Sequence, residues 1–217
     1  MIRIAPLMVA LVLAAPAFAD TTPGQTKKST AKKPGAQAPQ PHGATKQGAL
    51  KSADGKPCVG LVMSPPRGMR EVKDDALQKK SLDATGKGKL CIAKVFEATS
   101  PVTIYRVWNS TKPYTKIGGW WSFTAPKGPE SAYREANAIC PEWSDLDRLS
   151  VCKIKVGAHV AVGPGQSADC NTVKYPKSRV NQVFIDNDSR ANRVHVTDCK
   201  ELGVWPQAAR APKNTKK

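Results

Sequence analysis

The chain has 217 residues, 34 Lys plus Arg against 17 Asp plus Glu, a formal charge of +17 and 40% hydrophobic residues. A mean hydropathy of −0.41 excludes a polytopic membrane protein, and five Trp with four each of Tyr and Phe exclude a wholly disordered chain. One basic domain with extensions fits this length and composition.

Residues 1–19 carry Arg3, an apolar run over 7–15 and the small-residue triplet Ala17, Phe18, Ala19 ahead of Asp20. This pattern predicts a cleaved signal peptide and a secreted or periplasmic protein. The apolar run is about half the roughly 20 residues of a membrane span, so no integral membrane segment is expected after cleavage.

Residues 20–56 contain Lys, Pro, Gly, Ala, Thr and Gln with no aromatic residue, and read as a disordered basic linker of net charge +5. Residues 207–217 form a second basic tail with four cations. The globular part, 57–206, holds 22 basic and 15 acidic residues and every Trp. More than half of the charge therefore lies in the extensions, where it suits anionic envelope polymers or nucleic acid.

Along the globular part, 69–82 is loosely helical in pattern and 89–97 opens an apolar stretch. PVTIYRVW over 101–108 is dense in β-branched and aromatic residues and predicts a buried strand. GGWWSFT over 118–124 predicts another, entered through glycines of the kind that permit close approach of a ligand.

Gly128, Pro129 and Glu130 mark a helix start, with Ala132, Ala136 and Ile139 on one face and Pro141 as its stop. Residues 151–162 alternate as one long strand, and the signal returns over 179–186 and 193–197. Gly163 to Gln166 reads as a turn. The fold class expected is α+β, strand-rich with few helices.

Cys58, Cys91, Cys140, Cys152, Cys170 and Cys199 are even in number in an exported chain and predict disulfides, in any of fifteen pairings. No two of them have zinc-finger spacing, so no metal is expected. Walker, GxGxxG and GxSxG motifs are absent. His159 and His195 lack a Ser or Cys partner at informative spacing and read as structural.

The ordered segments YRVW, GGWWSF and NQVFI resemble the ADP-ribosyltransferase-like domains of bacterial polymorphic toxins, including NAD glycohydrolases of the tuberculosis-necrotizing-toxin type. The resemblance spans residues 102–185. It implies a split β-structure that grips NAD in a cleft, NAD as substrate with no permanently bound cofactor, and an inhibitory immunity protein as partner.

It further implies Arg106 on the NAD phosphates, where a guanidinium fork matches phosphate oxygens. Tyr105 and one of Trp120 or Trp121 would flank nicotinamide, because neighbouring strand residues face opposite ways. Ser122 would meet the ribose and Gln182 the reaction centre. Transferases of this fold place a Glu just after the late strand, and NQVFIDND over 181–188 has none. A neutral amide supplies no negative charge to a developing cation, so hydrolysis of NAD is the sharper expectation, with ADP-ribosyl transfer as the alternative should Asp186 or Asp188 stand in for the Glu.

Overall fold

A computed structural model describes residues 52–206. The expected signal peptide, most of the expected basic linker and the C-terminal stretch 207–217 lie outside the described residues. Ser52 to Lys56, counted above with the linker, already pack on the domain. Ser52 is buried, and Asp54 accepts from the Thr85 hydroxyl and from its backbone N–H at 3.0 Å.

Among the described residues, ten strands and two short α-helices make a mostly-β α+β fold. β1 (Met69–Val72), β2 (Lys94–Ala98), β4 (Trp120–Trp121), β6 (His159–Pro164) and β9 (Asn181–Phe184) form an antiparallel sheet in the order β1-β2-β6-β9-β4. β3 (Val102–Trp108), β5 (Arg148–Ile154) and β10 (Val196–Val204) form a second, ordered β10-β5-β3. β7 (Ala168–Asp169) and β8 (Lys174–Tyr175) make a small hairpin.

The two sheets enclose one core in which Phe96, Ile104, Trp121, Ile154, Val160 and Val183 pack together. They meet where Tyr105 and Ser122 exchange backbone hydrogen bonds at 2.8 and 2.9 Å. That junction brings the edge strand β4 of one sheet against the edge strand β3 of the other.

Several local expectations change. Residues 69–82 split into β1 and the helix α1 (Asp75–Ser81), whose N-cap Asp74 accepts from the Leu77 N–H at 3.0 Å. The alternating stretch 151–162 is two strands, broken at Gly157 with φ of +82°. Gly163 and Pro164 end β6, Gly165 makes an isolated bridge to Leu90, and all of Gly163 to Gln166 is buried rather than a turn. A Cβ at Gly163 would stand 1.8 Å from the Ile92 carbonyl oxygen, so only glycine lets the chains cross there.

α2 (Glu130–Asn137) begins as expected and ends on Ala138, left-handed at φ of +49°. Its buried residue is Arg134, not the alanine face, of which Ala132 is exposed. Arg134 pairs with Glu130 at 2.6 Å and donates to the carbonyls of Cys140 at 3.4 Å and Ser144 at 2.8 Å.

Three disulfides join Cys58 to Cys91, Cys140 to Cys170 and Cys152 to Cys199, closing separations of 33, 30 and 47 residues. Loops of that size correspond to about 3.5–4 kcal/mol each, which suits an oxidising compartment. Cys140, Glu142 and Cys170 cluster tightly enough to suggest a metal site, yet both sulfurs are spent in one disulfide. Glu142 instead accepts from the Asn171 N–H at 2.9 Å.

β4 pairs only with Val183 and Phe184 of β9. Beside the remainder of β9, the Asn181 side chain donates to the Leu61 carbonyl at 2.9 Å and accepts from the Met63 N–H at 3.1 Å. This holds the extended segment around 61–63 against the strand. No helix among the described residues is long and apolar enough to cross a membrane.

Candidate functional site

Four of the residues singled out in the sequence line one cavity of about 280 Å3: Arg106 from β3, Trp120 and Trp121 from β4, and Gln182 from β9. The opposite wall comes from α2 and the residues after it, including Tyr133, Asn137, Ala138, Ile139 and Trp143.

Arg106 dominates the electrostatics. Its Nε donates to the Thr115 carbonyl at 2.7 Å and its Nη1 to the Trp120 carbonyl at 2.6 Å. The Trp121 ring lies 5.9 Å from the guanidinium carbon. No carboxylate pairs with this arginine among the described residues. Burial lowers its pKa to about 10, so it stays cationic at neutral pH. A desolvated cation beside a cavity, with three N–H donors left over, is an anion acceptor.

Tyr133 stands close enough to Arg106 for each to influence the other's charge. Burial is the larger effect on the phenol and raises its pKa to about 12, so it enters the cavity as a neutral hydroxyl. One helical turn on, Asn137 donates from Nδ2 to the Tyr133 carbonyl at 2.9 Å.

Gln182 is buried, and its Nε2 donates to the Asn137 carbonyl at 3.1 Å. That single bond orients the amide and leaves Oε1 as the acceptor without a protein partner among the described residues. The α2 terminus makes this possible, because the left-handed Ala138 directs its own N–H back to the Arg134 and Glu135 carbonyls. The Asn137 carbonyl is thereby free to receive Gln182.

The tryptophans divide as their parity requires. Trp121 is buried in the core between the sheets and donates to the Gly118 carbonyl at 2.7 Å. Trp120 lies half-buried on the other face, its ring 4.9 Å from that of Phe184. Tyr105 packs against the Val107, Leu146, Leu149 and Trp205 cluster. The Ser122 hydroxyl accepts from the Thr124 N–H at 3.1 Å. Neither Tyr105 nor Ser122 lines the cavity; their contribution is the backbone bridge that closes the sheets.

Tyr133 and Asn137 escaped sequence reasoning. Their spacing of four places both on one face of α2, which is the signal the sequence holds for them. Gly118 and Gly119 are small for a reason internal to the protein: an added Cβ at Gly118 would lie 2.4 Å from Arg106 Nη2, and one at Gly119 would lie 3.0 Å from the Phe184 ring.

His159 and His195 line a second cavity of about 370 Å3 with Asp74, Lys80 and Asp186. His159 Nδ1 lies 2.8 Å from Asp74 Oδ2, a pairing that lowers the Asp74 pKa together with the Leu77 N–H. Asp186 pairs with Lys80 at 2.5 Å and with Arg193 at 3.4 Å, and Asp188 caps the turn at 189–191. Comparisons of the chain with protein-family models, curated proteins and solved structures find no match.

Proposed function

We propose that the protein is a secreted NAD glycohydrolase whose active site is the Arg106 cavity. The observation that carries this reading is the convergence of Arg106, Trp120, Trp121 and Gln182 on one cavity in which the arginine has no counter-ion. The two-sheet, strand-rich architecture is compatible with the split β-structure of ADP-ribosyltransferase-like domains, and the reading draws on that likeness.

In this mechanism the NAD phosphates neutralise Arg106, and Trp120 flanks the nicotinamide end. Gln182 Oε1 accepts a hydrogen bond from a ribose hydroxyl or from the attacking water, holding the reactants in line. Water then adds to the ribose carbon as the bond to nicotinamide breaks, giving nicotinamide, ADP-ribose and a proton. The neutral amide at Gln182 and the neutral phenol at Tyr133 suit positioning rather than charge stabilisation.

The test is incubation of the oxidised protein with NAD, followed by chromatography for nicotinamide and ADP-ribose. Equal release of both is expected, lowered at least a hundredfold in Gln182→Ala with the fold retained by circular dichroism. Nicotinamide without free ADP-ribose would indicate transfer, and no turnover by a folded protein would reject the reading.

The charge distribution favours a second reading, a non-enzymatic exported protein that binds anionic polymers through its basic extensions. Under it, removing residues 20–51 abolishes salt-sensitive binding to a polyanion and no NAD is consumed.

A further inference from the structure

The Arg106 cavity, at about 280 Å3, falls just below the roughly 300–1,000 Å3 that enclose drug-sized ligands. It accommodates one heterocycle with its sugar, not a whole dinucleotide. Two of its lining residues, Arg106 and Trp120, also line a neighbouring cleft of about 350 Å3. The two spaces therefore adjoin at the uncompensated cation.

The chemistry of the second cleft differs from that of the first. Lys80, Arg106, Arg190 and Arg193 face it together with only two carboxylates, Asp186 and Asp188. Asp186 is already engaged by Lys80 and Arg193. Arg190 is 72% exposed, reaches Asp188 only at 3.8 Å and lies over the Tyr114 ring at 4.8 Å. A guanidinium held over an aromatic ring is a planar cationic platform, suited to a flat base and to phosphate alike. Gly118 lets the Arg106 guanidinium lie directly against the backbone at the junction, since a Cβ there would stand 2.4 Å from Nη2.

We infer that this cleft is the second compartment of the ligand site and receives the nucleoside-phosphate end of an extended dinucleotide, with Arg106 at the bridging phosphates and Arg190 over Tyr114 against the terminal base. The inference rests on the NAD reading and adds to it the location of the adenylate half. It assigns Tyr114 and Arg190 to ligand binding.

The experiment compares NAD with nicotinamide mononucleotide, which lacks the adenylate, as substrates of the wild-type protein, Arg190→Ala and Tyr114→Ala. Wild-type kcat/KM is expected to favour NAD at least tenfold, and each substitution is expected to cut that preference at least fivefold. Cleavage of NAD with a preference that the substitutions leave alone overturns the cleft assignment and leaves the glycohydrolase reading intact.

If neither substrate is cleaved, the glycohydrolase reading fails and calorimetric titration with ADP-ribose decides the cleft. Binding weakened at least fivefold by Arg190→Ala sustains the assignment. Binding that is absent, or insensitive to the substitution, overturns it.

Discussion

The two sides of the Arg106 cavity each carry an arginine drawn in from bulk water, buried Arg134 and half-buried Arg106, and the two are treated in opposite ways. On the α2 side, Arg134 is saturated: Glu130 neutralises it and the Cys140 and Ser144 carbonyls take its remaining reach. On the sheet side, Arg106 holds two carbonyls and no carboxylate. A buried cation that is fully paired belongs to the architecture, whereas one left unpaired at a cavity is stabilised only when an anion arrives. The difference separates the wall from the floor of the site.

The largest expected effect falls on the wall. Replacing Cys140 and Cys170 together with Ser releases a loop of 30 residues and is expected to lower stability by about 3.5 kcal/mol in urea unfolding. The NAD turnover proposed for the cavity should fall with it, because the released loop carries Trp143 and begins directly after Ile139. Unchanged stability would show that Arg134 alone holds the wall.

The direct comparison comes next. Arg134→Met strands Glu130 and two carbonyls and is expected to destabilise by about 3 kcal/mol. For Arg106→Met the loss of two carbonyl bonds is offset by relief of a desolvated charge, so a change below about 1 kcal/mol is expected. Equal losses in the two variants would break the distinction and make Arg106 a structural residue.

The smallest effect concerns His195, a third cationic group opposed by burial. Its pKa lies below the ordinary 6.5, chiefly through desolvation, with Arg193, Lys155 and His159 adding and Asp186 opposing. The unfolded chain therefore takes up a proton that the folded one resists, and stability declines as pH falls below 6.5. His195→Gln should flatten that decline, read from thermal midpoints between pH 5 and 7. An unchanged slope would assign the decline to other groups.

The strand β3 was legible because PVTIYRVW admits little else, and α2 because Pro129 and Glu130 open it and Pro141 follows it. The helix's buried face was not legible. Arg134 looks like a solvated residue until Glu130 and the later carbonyls surround it. The alternation over 151–162 ran through the turn at Gly157 without a change of parity, so two strands read as one. Pairings such as Asp74 with His159, or Cys58 with Cys91, join segments far apart in the chain, and a pattern of faces carries no information about partners. The same limit applied to the site: the residues of the sheet side emerged from their motifs, while Tyr133 and Asn137 became visible only once α2 was placed over Gln182.

The brevity of β4 has a consequence for how copies of this protein meet. A two-residue edge strand leaves part of β9 open to capture by any passing extended chain, the usual route to edge-to-edge aggregation. The side chain of Asn181 forestalls this by imitating a backbone, with its amide occupying the Leu61 carbonyl and the Met63 N–H that a ladder would use. The chain thus supplies its own blocking segment, and Asn181→Ala is the change that would turn a shielded margin into an adhesive one.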